Sequence, residues 1–163
     1  MAEELQIPTS DNRVEVYQSL IPQLEALIGD EKDSVAVMSN VAAALRQAFG
    51  FFWVGFYLVK NGELVLGPFQ GDVACFRIKM GKGVCGRAWQ KSKSIIVPDV
   101  DQFPGHITCS TASQSEIVVP IILNENVIGV LDVDSDKRND FDEVDKHWLE
   151  KISKLCANYL NTQ

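Results

Sequence analysis

The chain has 163 residues, 46% of them hydrophobic and 23% charged, the composition of one soluble domain and not of a disordered, collagenous or coiled-coil chain. A chain this long buries roughly 70% of its unfolded surface, so it needs no metal or disulfide staple to fold. Its 15 basic and 22 acidic residues give a net charge of −7, which argues against nucleic acid or an anionic membrane as a partner.

Residues 51–59 and 117–123 are the longest apolar runs, far short of the ~20 residues that cross a bilayer. Met1–Ser10 has no apolar signal core, so the expected location is the cytoplasm, where thiols stay reduced. A first helix starts near Asp11-Asn12, with Val14, Tyr17, Leu20, Ile21, Leu24, Leu27 and Ile28 at helical spacing, and Pro22 is expected to kink or split it. Gly29-Asp30 closes it. Asp33 or Ser34 caps a second helix, which carries Val37, Val41, Ala44, Leu45 and Ala48 on one face and stops at Gly50. Phe51–Lys60 and Glu63–Phe69 then read as a hairpin around Asn61-Gly62. A strand follows over Val73–Lys79, a short helix over Val84–Lys91 and a short strand over Ser94–Val97. Pro98–Gln114 has no periodicity, and a loop that long is more often functional than not. Ser115–Leu123 and Val127–Asp134 form a last hairpin, and Asp140–Leu160 a last amphipathic helix. The chain thus reads as one α+β domain over 1–163: helices about 12–49, sheet and loops about 51–134, and a helix about 140–160. The sheet is mainly antiparallel, with the terminal helices on one face and loops on the other.

Strand parity supplies the first functional signal. Phe52, Val54, Phe56 and Leu58 share one face, and Phe51, Trp53, Gly55, Tyr57 and Val59 share the other. Trp53 and Tyr57 flank a bare glycine and suggest a pocket floor; the alternative is core aromatics beside a bulge. In the last hairpin, a three-residue loop at Asn124–Asn126 sets Glu116 opposite Asp134 with Asp132 on the same face, whereas a two-residue loop turns Glu116 away. Three acids at one strand end can bind a cation or hold a proton among themselves. The four cysteines, spaced Cys-x9-Cys-x23-Cys-x46-Cys, lack the close pairs of a zinc site, and no metal is expected. Cys109 lies in the long loop, Cys75 on or beside a strand, and Cys156 on the apolar stripe of the last helix. Cys85 sits near a helix N-terminus, which favours thiolate. His106 has no assigned role, His147 reads as helix surface, and neither is placed with the acids.

Several stretches belong together: Val54-Gly55-Phe56-Tyr57, Gly67-Pro68-Phe69-Gln70-Gly71, Ala74-Cys75, Gly83-Val84-Cys85-Gly86, Phe103-Pro104-Gly105-His106-Ile107, Ser115-Glu116-Ile117-Val118-Val119-Pro120 and Gly129-Val130-Leu131-Asp132-Val133-Asp134-Ser135. As a set they closely resemble the free methionine-(R)-sulfoxide reductases, which are stand-alone GAF domains. The resemblance implies an antiparallel sheet of roughly six strands, with helices on one face and the ligand pocket on the other, and reduction of free methionine-R-sulfoxide, not of the residue within proteins. By motif, Cys109 resembles the catalytic thiol, and Cys75 and Cys85 the recycling thiols. Trp53, Tyr57, Glu116, Asp132 and Asp134 resemble the substrate pocket, with Glu116 or Asp134 as proton donor. Recycling would draw on thioredoxin, with no bound cofactor; a homodimer is also among the family's habits. The competing readings are a GAF module that binds a small molecule without chemistry and a thiol redox sensor.

Overall fold

The computed structural model describes residues 4–160, so the tip of the N-terminal stretch, Met1–Glu3, lies outside the described residues. Two helices come first, α1 (Arg13–Ile28) and α2 (Ser34–Phe49). The side chains of Asn12 and Asp33 cap them by accepting from the backbone N–H groups of Val14 and Ala36. Gly29 and Gly50 end them at φ 51° and 67°, where a side chain would be strained. Pro22 does not split α1. A proline removes one backbone bond, and the buried Leu20 and Leu24 on either side hold both halves against the core.

The strands are β1 (Trp53–Lys60), β2 (Glu63–Gln70), β3 (Arg77–Lys79), β4 (Ile95–Val97), β5 (Ser115–Leu123) and β6 (Asn126–Ser135). They form one six-stranded sheet in the order β3-β2-β1-β6-β5-β4, and every pairing is antiparallel. Helix α3 (Gly83–Lys91) precedes β4, and α4 (Glu143–Ala157) closes the fold behind a capping box of Asp142 and Asp145.

The sheet has two apolar sides. Val54, Phe56, Ile117, Val119, Leu131 and Val133 pack against α1, α2 and α4 in the larger core, which also contains Cys156. Trp53, Tyr57, Val118 and Val130 face α3, Cys85 and the long loop in the smaller one. Phe51 and Phe52 invert the expected parity. β1 begins only at Trp53, after the left-handed cap at Gly50, so alternation starts there. Phe51 turns to the helices and stacks on Phe49, while Phe52 packs with the smaller core.

Two further expectations are corrected. The strand expected over Val73–Lys79 is only Arg77–Lys79, so Cys75 lies in a loop. The carbonyls a ladder would use are taken by side chains: the Trp53 indole N–H donates to Asp72 O at 3.0 Å, and the Tyr57 hydroxyl to Cys75 O at 2.8 Å. The last hairpin turns on two residues, Asn124 and Glu125 at φ 49° and 67°, with Leu123 opposite Asn126. An irregularity between Ile121 and Ile122 then absorbs one residue of β6, and Glu116 still falls opposite Asp134.

Candidate active site

The register brings the predicted residues together. β6 lies between β1 and β5, so Asp134 has Trp53 on one side and Glu116 on the other, and Asp132 lies opposite Gly55. Glu116, Asp132, Asp134, Trp53, Tyr57, Cys85 and Cys109 all line one small cavity of about 50 Å³. The glycine between the aromatics is not a bare floor. A Cβ on Gly55 would lie 2.3 Å from the Phe69 Cβ and 2.7 Å from the Trp53 ring, so the missing side chain is the space those rings fill. Trp53 lies stacked on Phe69 and Tyr57, at centroid distances of 5.2 and 6.1 Å.

Glu116 and Asp132 are buried with the half-buried Asp134 beside them, and each holds its proton more tightly than an ordinary carboxyl. Burial pushes Glu116 up to about 8, reinforced by the charge of Asp134. Burial and the charge of Glu116 raise Asp132 well above the carboxylate range. Asp134 is raised by burial and by Asp132, against a 2.5 Å hydrogen bond that it accepts from the Ser113 hydroxyl. Asp132 Oδ1 is buried and accepts no hydrogen bond.

Cys75 and Cys109 form a disulfide, with Cα atoms 5.5 Å apart. Both are half-buried, and the bridge ties the loop after β2 to the long loop before β5. Val73 and Phe76, on either side of Cys75, are 87% and 80% exposed. Cys85 and Cys156 are free and buried. Cys85 is not poised as a thiolate. Burial and the charges of Asp132 and Glu116 push it well above an ordinary thiol, which outweighs its place in the first turn of α3. Its Sγ points at Glu116 Oε1 across 4.0 Å.

The sequence left three contributors unassigned. His106 reaches back from the long loop and sets its Nε2 3.4 Å from Glu116 Oε2, so a histidine does sit with the acids. Burial lowers the His106 pKa below 6.5 while Glu116 keeps its proton to about 8, so near neutrality the contact joins a neutral ring to a carboxylic acid. Ser113 holds Asp134 as described. Arg87, on α3, lies over the Phe103 ring at 4.7 Å and donates to Pro104 O, which pins the start of the loop that carries His106 and Cys109. The only sequence signal for these was the Phe103–Ile107 motif itself. His147 is exposed on α4, and Cys156 is fully buried in the larger core, as their spacing suggested.

The fold and the site define a GAF domain, and the GAF-domain family model matches residues 31–161. GAF domain-containing protein A of Dictyostelium discoideum is 56% identical over 97% of this chain and 100% of its own length. The free methionine-R-sulfoxide reductase of Saccharomyces cerevisiae is 40% identical over 94% of this chain and 91% of its own. The crystal structure of the free methionine-R-sulfoxide reductase from Neisseria meningitidis, in complex with its substrate, superposes with a TM-score of 0.93 at 47% identity. That match covers 96% of this chain and 94% of the other. The chain belongs to the free methionine-R-sulfoxide reductase family of GAF-domain proteins.

Proposed function

We propose that this chain reduces free L-methionine (R)-S-oxide to L-methionine with its cysteine thiols, Cys109 acting as nucleophile and Cys75 as resolving thiol. The observation that carries the reading is the Cys75–Cys109 disulfide bordering a cavity that also holds three carboxyls and two aromatic rings. In the reduced protein, the Cys109 thiolate attacks the sulfoxide sulfur. The sulfoxide oxygen accepts a proton from Glu116, which retains one to about pH 8, and passes to the cysteine. Methionine leaves and Cys109 becomes a sulfenic acid. The Cys75 thiol then condenses with it, water departs, and the disulfide forms. The two electrons come from the thiol pair, so the reaction needs no bound cofactor.

Asp132 Oδ1, a buried acceptor without a donor, suits the substrate ammonium group. Trp53 and Tyr57 bound the thioether side. Cys85 is the second recycling thiol only if it leaves its place beside Glu116; its protonated, buried state favours Cys75 for the first step. Regeneration requires a dithiol reductant of the thioredoxin type, whose thiolate would attack the half-exposed bridge beside Val73 and Phe76. Among the described residues no helix is long and apolar enough to cross a membrane. We assign the reaction to the cytoplasm, where such reductants operate.

The test supplies free methionine-R-sulfoxide or its S epimer with a thioredoxin reducing system and follows methionine release. Turnover of the R epimer alone, abolished in Cys109→Ser and retained in Cys156→Ser, supports the assignment. Methionine release by Cys109→Ser at the wild-type rate overturns it.

A further inference from the structure

Beside the disulfide lies a second set of groups that the thiol chemistry does not need in this form. The Sγ of Cys85 and one oxygen each of Glu116 and Asp132 lie within 4.8 Å of one another, and all three residues are buried. We propose that in the disulfide form this trio binds a zinc ion, with a water in the fourth position.

The first support is the donor set. An ammonium group asks only for acceptor oxygens, whereas a thiolate beside two carboxylates matches a borderline-soft divalent cation. Magnesium and calcium, which take oxygen ligands in larger numbers, fit it poorly. The second is the orphaned acceptor. Asp132 is 6% exposed and its Oδ1 has no hydrogen-bond partner, which is a cost that an ion at that atom removes. The third is geometry. Zinc at ~2.3 Å from sulfur and ~2.0 Å from oxygen puts tetrahedral ligands roughly 3.3–3.6 Å apart. Cys85 Sγ and Glu116 Oε1 stand at 4.0 Å, so a small inward movement closes the site. His106 at 3.4 Å from the other Glu116 oxygen becomes an outer-shell partner that orients the carboxylate. Binding releases to solvent the protons these buried groups hold, and the ion neutralises the like charges that otherwise oppose their ionisation.

A bound zinc ion occupies the carboxyls assigned above to catalysis and substrate, so it also blocks turnover. That consequence rests on the reductase reading; the binding does not. The oxidised form isolates the site, because Cys75 and Cys109 are bridged and the other free thiol, Cys156, lies in the opposite core.

The test uses the full chain, oxidised and stripped of metal, with zinc chloride in competition with a colorimetric zinc indicator. We expect one equivalent bound with micromolar or tighter affinity, unchanged by millimolar magnesium. Cys85→Ala weakens binding by more than about 100-fold, beyond the roughly 10–100-fold that loss of an outer-shell partner costs. Cys156→Ala binds as wild type. Cobalt(II) provides a readout that needs no variant: the oxidised wild-type protein acquires a near-ultraviolet thiolate-to-metal charge-transfer band. No zinc uptake at tens of micromolar, wild-type affinity in a folded Cys85→Ala, or a cobalt spectrum without a sulfur band overturns the proposal. None of these outcomes depends on methionine release.

Discussion

Replacing Glu116 with Gln should stabilise the fold while it disables the reaction. The carboxyl ionises near its ordinary 4.5 in the unfolded chain and at about 8 in the native state. Between those values the native state holds a proton that the unfolded chain has lost, so stability falls as pH rises across that window. Each step of one in pH is worth about 1.4 kcal/mol. At pH 5 the penalty is about 1 kcal/mol, at pH 7 about 3 kcal/mol, and above pH 8 it levels off near about 5 kcal/mol. Glutamine has nearly the same shape and does not ionise. The substitution carries its own constant cost for burying an amide, so the diagnostic quantity is how the difference between wild type and variant grows with pH. Urea denaturation of both oxidised proteins at pH 5, 7 and 8 measures it. The gap should widen by about 2 kcal/mol in favour of Gln between pH 5 and 7. A gap that stays constant, or narrows, refutes the protonated buried carboxyl. In the methionine assay the same variant should lose about 10²–10⁴-fold in rate, the usual worth of a general acid.

The other expectations are read in shorter experiments. Cys75→Ser should release one methionine per chain and stop, leaving a sulfenic acid on Cys109 that a dimedone label detects by mass; continued turnover at the wild-type rate would remove Cys75 from the cycle. In Arg87→Ala the stacking on Phe103 and the bond to Pro104 O are lost, about 1–2 kcal/mol of local restraint. Amide exchange over residues 103–109 should therefore quicken while the core stays protected. Wild-type kcat/KM should fall as pH rises through about 8, as Glu116 gives up its proton, although a free thiol becomes more ionised over that range; a rate that climbs steadily to pH 9 would exclude Glu116 as donor.

Much of this architecture is written in local pattern, because burial on one side of a helix or strand leaves a period that a single sequence displays. The alternation of Val54, Phe56 and Leu58 against Trp53 and Tyr57 assigns the two sides of β1, and the Asn61-Gly62 turn assigns its partner. Glu116 is more instructive. Its pairing with Asp134 follows from a three-residue loop, yet the loop has two residues, and the pairing survives only through the irregularity at Ile121 and Ile122. A turn and a bulge that compensate leave no local trace, since what selects the register is the apolar face of Ile117, Val119 and Val133 packed on the helices. The same holds for the features the pattern missed. Cys85 looks like an activated thiol from its place in α3, and becomes a protonated one because the smaller core buries it and β5 and β6 bring two acids against it. His106 reaches Glu116 only because a loop without periodicity folds back across the cavity.

The proposed thiolate mechanism also has to tolerate acids nearby. Three ionised carboxylates in one pocket would oppose any thiolate beside them. Here burial keeps Glu116 protonated up to about 8 and raises Asp132 and Asp134 in the same direction, so the pocket carries less negative charge than three ordinary carboxylates would, and their proximity together with burial pushes the Cys85 thiol up. Cys109 comes from a different element, a loop tied to Cys75, where it is half-buried and lines the same cavity as the acids. In the proposed reaction, the burial that is costly for folding above pH 5 serves two ends at neutral pH. It stores the proton the sulfoxide oxygen needs, and it withholds the negative charge that would suppress the nucleophile.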